Sequence, residues 1–138
     1  MMKPFLTLAL VMIALPAFAF NPRSIPRHQQ NAPEQLEIEV TQIEEKKVTR
    51  GEMRFLSIEA KAKVSKVTES ASGVEKGDTI TVSWLIPLDE GAIGGGWPGK
   101  IKKGSYLAYL RADGKARHRY LPAAYTGSFV ADKKRKTP

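Results

Sequence analysis

A run of alternating residues at positions 79–86 constrains the fold of this chain more than any other feature. Its sequence is Thr-Ile-Thr-Val-Ser-Trp-Leu-Ile, in which Ile80, Val82 and Trp84 share one parity and mostly polar residues hold the other. Successive side chains of a β-strand point to opposite faces, so this period of two predicts a strand with one buried face. Pro87 cannot donate to a sheet ladder and ends the run. The chain is therefore predicted to be a small β protein with Trp84 in its core.

The same alternation recurs along the chain and predicts five strands in all. The predicted strands are residues 36–43, 55–68, 79–86, 105–111 and an interrupted last strand that ends at residues 128–130. A change of parity in the second strand predicts a bulge near Ser65 and Lys66. Residues 44–53 carry four consecutive charges and a glycine and are predicted to be the first connection, whereas residues 111–119 contain an Asp-Gly turn and form the fourth.

A glycine-rich stretch at residues 88–103 separates the third and fourth predicted strands. It contains Gly94-Gly95-Gly96-Trp97-Pro98-Gly99, which disfavours a helix and predicts a long loop. The stretch lacks the spacing of a nucleotide-binding P-loop, so phosphate cradling of that kind is not predicted. Trp97 in this loop is either an exposed contact residue or a lid packed over one end of the sheet.

The N-terminus predicts export and the C-terminus is basic. Lys3, an apolar segment at residues 5–15 and the small residues Ala17 and Ala19 are typical of a signal peptide spanning residues 1–19, cleaved near Ala19, which places the protein in the periplasm or outside the cell. The proline-containing residues 20–34 are predicted to be a disordered leader. Residues 132–138 form a basic tail that either contacts membrane headgroups or anionic glycans, or stays solvated and aids solubility.

The five-strand layout with a wide third connection is similar to that of an OB-type barrel. Segments 58–67, 76–82, 103–110 and 120–125 resemble those of bacterial exported proteins and, more distantly, the netrin and tissue-metalloproteinase-inhibitor module. The resemblance implies an all-β, five-stranded antiparallel OB-like barrel over residues 35–131, with the glycine-rich loop in place of a helix. Those inhibitors chelate their target's metal through an N-terminal cysteine. This chain has no cysteine, so the resemblance implies the fold and not the inhibition.

The inventory of catalytic residues is thin. There is no cysteine nucleophile, the only histidines are His28 and His118, and Asp89 and Glu90 are adjacent, so that on an extended chain they point apart. No catalytic residue, metal ligand set or cofactor is predicted. The alternative is a small enzyme or enzyme accessory with a loop site near Trp97, Asp89 and His118.

Basic side chains predict a binding surface instead. In OB barrels the face of strands 2 and 3, flanked by the first and fourth connections, is the usual ligand surface. The candidate ligand-binding residues are Lys46, Lys47, Arg50, Lys61, Lys63, Trp97, Lys115, Arg117, His118 and Arg119. They predict a non-enzymatic binding or interaction module whose partner is an anionic polymer or a protein. Nucleic acid is disfavoured, because the face offers few aromatic side chains for base stacking and export separates the protein from it.

Overall fold

Six strands form one sheet in the computed structural model, which describes residues 22–88 and 98–132. The strands are β1 (Glu34–Arg50), β2 (Met53–Ser70), β3 (Thr79–Pro87), β4 (Gly104–Ala112), β5 (Arg119–Pro122) and β6 (Phe129–Ala131). The predicted signal peptide, residues 133–138 of the basic tail and residues 89–97 of the glycine-rich stretch lie outside the described residues. The predicted mostly β architecture is confirmed.

The strand order is a Greek key that closes on itself. β1, β2 and β3 are antiparallel neighbours, and β4 returns after the wide connection to pair with β1. β5 then pairs with both β4 and β3, which closes a ring of five strands. The β3–β5 pair is parallel, so the expectation of a wholly antiparallel sheet is wrong at this one contact. The predicted last strand is two short strands, because Pro122 and a 3-10 turn at Tyr125–Gly127 interrupt it.

The inner face of the ring holds the core. Its largest fully buried side chains include Ile38, Ile58, Ile80, Leu110 and Tyr120. Trp84 is only 7% exposed, its ring centroid lies 5.0 Å from that of Phe129, and its Nε1–H donates to the carbonyl oxygen of Gly99 at 3.2 Å. The predicted core position of Trp84 is confirmed. The alternation of β3 is confirmed as well, since Ile80 and Val82 are buried and their neighbours are not.

The β1–β2 hairpin is much longer than the sequence predicted. The two strands pair up to Arg50 opposite Met53, so only Gly51 and Glu52 connect them, with Gly51 at a φ of 64°. The predicted loop over residues 44–53 is therefore wrong. Its charged residues show no alternation because both faces of β1 are exposed there, yet the backbone still pairs with β2. The predicted bulge is confirmed, because Ser65 is passed over between the pairs of Val64 and Lys66.

A short helix occupies part of the segment predicted to be a disordered leader. A 3-10 turn at Pro22–Ser24 leads into helix α1 (Ile25–Asn31). Tertiary contacts order it: the side-chain amide of Gln29 donates to the carbonyl oxygen of Gly127 at 2.9 Å, and the His28 and Tyr125 rings meet edge to face at 5.0 Å. Such contacts leave no periodic signal in the sequence. Within residues 22–88 and 98–132, no helix has the length and apolarity needed to cross a membrane.

Candidate functional site

A cleft of about 310 Å³ lies between the β2–β3 connection and the β4–β5 connection. Its lining residues are Ser72, Gly73, Ala112, Gly114, Lys115, Ala116, Arg117, His118, Arg119 and Tyr120. Four of the predicted ligand-binding residues, Lys115, Arg117, His118 and Arg119, belong to this lining. The structure therefore brings the predicted basic residues of the fourth connection to one concave surface.

Backbone geometry fixes the basic side of the cleft. Gly114 turns the chain with a φ of 86°, a conformation that glycine adopts without steric cost. His118 holds a φ of 62°, which is costly for a side chain with a Cβ. Two backbone hydrogen bonds hold this stretch in place: Thr81 N–H donates to the carbonyl oxygen of His118 at 2.9 Å, and Asp113 N–H donates to that of Arg119 at 2.8 Å. The loop is thus anchored to the sheet at both of its ends.

Hydroxyl groups line the opposite side. The Tyr120 hydroxyl and Ser72 Oγ are hydrogen-bonded at 2.8 Å, and the Ser72 backbone N–H donates to Glu34 Oε2 at 2.9 Å. Burial raises the pKa of the Tyr120 phenol, the hydrogen bond with Ser72 opposes that rise, and the negative charges of Glu34 and Asp78 reinforce it. The phenol therefore stays protonated at neutral pH and keeps its O–H.

The basic side chains of the cleft differ in how far they are already engaged. Arg119 Nη2 donates to Glu59 Oε2 at 2.7 Å and to Ser83 Oγ at 3.2 Å, and His118 Nε2 lies 3.5 Å from Asp78 Oδ2. Within the described residues, the exposed side chains of Lys115 and Arg117 form neither an ion pair nor a hydrogen bond. These two cations are available to a ligand.

The remaining predicted residues that the structure describes are divided between two regions of the sheet. Lys61 and Lys63 lie on the outer face of β2, and Lys61 pairs with Thr81, which is opposite Arg119. They are thus at the same end of β3 as the cleft. Acidic side chains share this outer face with the lysines, since Glu59 precedes them on β2 and Glu44 lies opposite Glu59 on β1. The outer face of β2 and β3 is therefore of mixed charge rather than basic.

Lys46, Lys47 and Arg50 lie towards the end of the hairpin, away from the cleft. Lys47 pairs with Leu56 and therefore aligns with Ile86, five residues from Thr81 along β3. That separation is about 16 Å at the rise of a strand, and Arg50 is farther still. The structure does not join the two predicted connections into one basic face, because the long hairpin of β1 and β2 places Lys46, Lys47 and Arg50 far from the cleft.

Trp97 and Asp89, two of the residues in the alternative enzymatic site, lie outside the described residues. Only His118 of that site is described. In the part of the chain that the structure describes, no three His, Asp or Glu side chains come together in a way that could hold a metal ion.

A second concavity of about 520 Å³ lies beside the β2 bulge. Its lining residues are Glu37, Ser65, Lys66, Val67, Val74, Glu75 and Lys76. Two acids and two bases face it, and Lys66 Nζ is already 3.8 Å from Glu37 Oε2. This surface selects neither sign of charge.

The sequence did not predict three residues of the cleft region, namely Glu34, Ser72 and Tyr120. Ser70 and Ser72 were visible as a serine-rich turn before Gly73, which was the one available signal. The contact between Ser72 and Tyr120 joins residues 48 positions apart and depends on β5 lying beside β3.

Comparison of the chain with family models, with curated proteins and with solved structures found no match.

Proposed function

We propose that this chain is an exported, non-enzymatic binding module whose cleft receives an anionic group of a polymer such as a sulfated glycan. One observation carries the proposal: the exposed cations Lys115 and Arg117 have no partner among the described residues and border a cleft lined by the hydroxyls of Ser72 and Tyr120. The signal-peptide pattern of residues 1–19 supports the exported location.

The donors of the cleft match the acceptor oxygens of a sulfate or carboxylate group. Lysine and arginine donate charge-assisted hydrogen bonds to such oxygens. The hydrogen bond between Ser72 and Tyr120 uses one of the two hydroxyl protons. The other is engaged only in the long contact of 3.4 Å between Ser72 Oγ and Ser70 Oγ, which a ligand oxygen can replace. Asp78 Oδ2 lies 3.5 Å from His118 Nε2, so a carboxylate stands beside this part of the cleft and opposes the positive potential of Lys115 and Arg117.

The expected affinity for a single anionic group is low. Exposed charge pairs are worth up to about 1 kcal/mol each and a hydrogen bond about 1 kcal/mol, which corresponds to a roughly millimolar dissociation constant. A polymer with repeated anionic groups raises the local concentration of ligand at the cleft and binds more tightly without any new contact. A polyanion is therefore a better ligand for this cleft than a free ion.

An OB-type barrel of the netrin and metalloproteinase-inhibitor kind is the fold that we propose for the ring. The Greek-key order, the ring of five strands and the wide β3–β4 connection support it. In OB barrels the β4–β5 connection flanks the ligand surface, which agrees with the position of the cleft.

A matched pair of variants tests the proposal. Lys115→Gln with Arg117→Gln removes two positive charges from the cleft, and Lys102→Gln with Lys103→Gln removes two from the exposed segment before β4. The second pair lies at the far end of β4 from Ala112, about 26 Å away. Binding of a heparin oligosaccharide is measured by calorimetry for the full chain and for each variant, at two salt concentrations.

We expect the cleft variant to lose about ten-fold in affinity and the control variant to lose no more than about two-fold. Both variants lose long-range attraction, which salt screens, but only the cleft variant also loses hydrogen bonds to the ligand. Equal losses in the two variants would show that binding follows net charge alone. Deletion of residues 133–136 is the third arm, and complete loss of binding on that deletion would assign the interaction to the tail and refute the role of the cleft.

A further inference from the structure

The longest open edge among the described strands belongs to β1. β4 pairs with β1 only up to Val40 opposite Gly104, whereas β2 continues to pair with β1 up to Arg50. Residues 41–50 therefore have a strand on one side and no described strand on the other. An unpaired edge presents backbone N–H and C=O groups that can accept another strand.

The side chains on this edge restrict which strand can pair with it. Residues 44–47 read Glu-Glu-Lys-Lys, and all four are exposed. Charges of this kind protect an edge from apolar strands and from general aggregation. The same order of charges is complementary to itself when the strand is turned round, since an antiparallel copy brings lysines opposite glutamates. A parallel copy in register would place like charges together instead.

We propose that a second copy of this chain occupies the edge, antiparallel and related by a two-fold axis that passes beside Glu45. Residues opposite each other in a sheet must share a face, so only registers that pair residues of equal parity are allowed. With Glu45 at the axis, Glu44 lies opposite Lys46 of the partner subunit, and the two-fold axis makes this contact occur twice in the dimer. Thr41 lies opposite the partner's Thr49. The two sheets then continue into each other across residues 41–49.

Two contacts within the chain favour this register over the neighbouring one centred on Lys46. Glu44 is paired with Glu59 on β2, a like-charge neighbour, and a lysine on its open side offsets that repulsion. Glu45, which meets its own copy at the axis, is already 3.5 Å from Lys100 Nζ through its Oε1. The register centred on Lys46 also gives two contacts between a glutamate and a lysine, because Glu45 then lies opposite the partner's Lys47. It gives Glu44 no lysine directly opposite, however, and places two lysines together without such a counter-charge.

Charge reversal with rescue tests the proposal. The full chain is examined by sedimentation velocity over a range of concentrations, together with Glu44→Lys, Lys46→Glu and the double variant. Each single reversal turns two opposite-charge contacts into two like-charge contacts, so we expect the dimer dissociation constant to rise about ten-fold. The double variant restores complementarity and should return the constant to near its original value. Glu52→Lys makes the same charge change in the hairpin turn, outside the overlap, and should leave the dimer unchanged.

Cross-linking gives a readout that does not depend on the charges. The chain has no cysteine, so a single introduced thiol reports unambiguously. Glu45→Cys should form a disulfide with its own copy under mild oxidation, because residues directly opposite in an antiparallel pair have Cα atoms about 4.5–5.5 Å apart, within the range that a disulfide spans. Lys46→Cys should not, because its copy lies two residues away along the partner strand.

Three results would overturn the proposal. The first is a full chain that stays monomeric at every accessible concentration. The second is a dimer whose dissociation constant ignores the single reversals or is not restored by the double variant. The third is cross-linking by Lys46→Cys and not by Glu45→Cys, which would establish a different register.

Discussion

Replacing Glu34 with alanine is expected to be the most damaging change of a single polar side chain in the described residues. Glu34 is only 1% exposed at the start of β1, although it is a carboxylate. Its Oε1 accepts a hydrogen bond from Ser70 Oγ at 2.5 Å, and its Oε2 accepts one from the backbone N–H of Ser72 at 2.9 Å. Buried acids are tolerated only when they are paired in this way. The carboxylate ties the first strand to the turn that carries the cleft serine.

The magnitude follows from the groups that the substitution leaves without a partner. Ser70 Oγ donates its one proton to Glu34 and accepts from the backbone N–H groups of Gly73 and Val74, at 3.0 and 3.1 Å. Glu34 thus also fixes the direction of a hydroxyl that satisfies two further donors. Hydrogen bonds to a charged group are worth about 1.5–3 kcal/mol each. Water reaches the exposed Ser72, so we expect Glu34→Ala to lower the free energy of unfolding by about 3 kcal/mol.

Urea denaturation followed by tryptophan fluorescence measures this loss, with Glu39→Ala as the control. Glu39 is an exposed glutamate on the same strand, and its replacement should cost less than about 0.5 kcal/mol. A double-mutant cycle with Ser70→Ala should give a coupling energy above about 1 kcal/mol. A loss below about 0.5 kcal/mol for Glu34→Ala, or strict additivity with Ser70→Ala, would refute the bonding scheme.

Two further predictions concern Tyr120 and Gly127. Tyr120→Phe removes the hydroxyl bonded to Ser72 and should cost about 1 kcal/mol at neutral pH. Because the folded-state pKa of Tyr120 is raised, its protonated form contributes stability that is fully present below about pH 10 and is lost at higher pH. The melting temperature of the variant should therefore fall less steeply above pH 10 than that of the unmodified chain. Parallel profiles of melting temperature against pH would contradict this. A Cβ at Gly127 would lie 2.3 Å from Ile25 Cγ2, so Gly127→Ala should displace α1 at a cost of about 1–2 kcal/mol and speed amide exchange in residues 25–31. Unchanged exchange there would show that the helix does not rest on this contact.

Strands that face the core could be predicted from the sequence. β3 and β4 were placed within a residue at each end, because a buried inner face imposes alternation on the residue types. The outer half of β1 could not be predicted by the same signal. Beyond Val40 only Ile43 and Val48 are half-buried and the other residues are exposed, so the place of this half in the sheet depends mainly on backbone pairing with β2, which any residue type can supply.

Only the basic side of the cleft could be predicted from the sequence. Lys115, Arg117 and His118 fall in a loop whose Asp-Gly turn is visible in the sequence, and that loop lines the cleft. The hydroxyl side was not predictable, because Tyr120 reaches Ser72 only through the parallel pairing of β5 with β3. Helix α1 escaped prediction for a similar reason, since its order comes from contacts with residues almost a hundred positions away.

The most direct test of the proposed function maps the ligand onto the chain. Amide chemical shifts are followed by NMR while a heparin oligosaccharide is titrated into the full chain. We expect the largest shift changes to fall on Ser72, Gly73 and residues 115–120, which line the cleft. Changes concentrated on residues 46–54 of the hairpin end, with those lining the cleft unmoved, would contradict it.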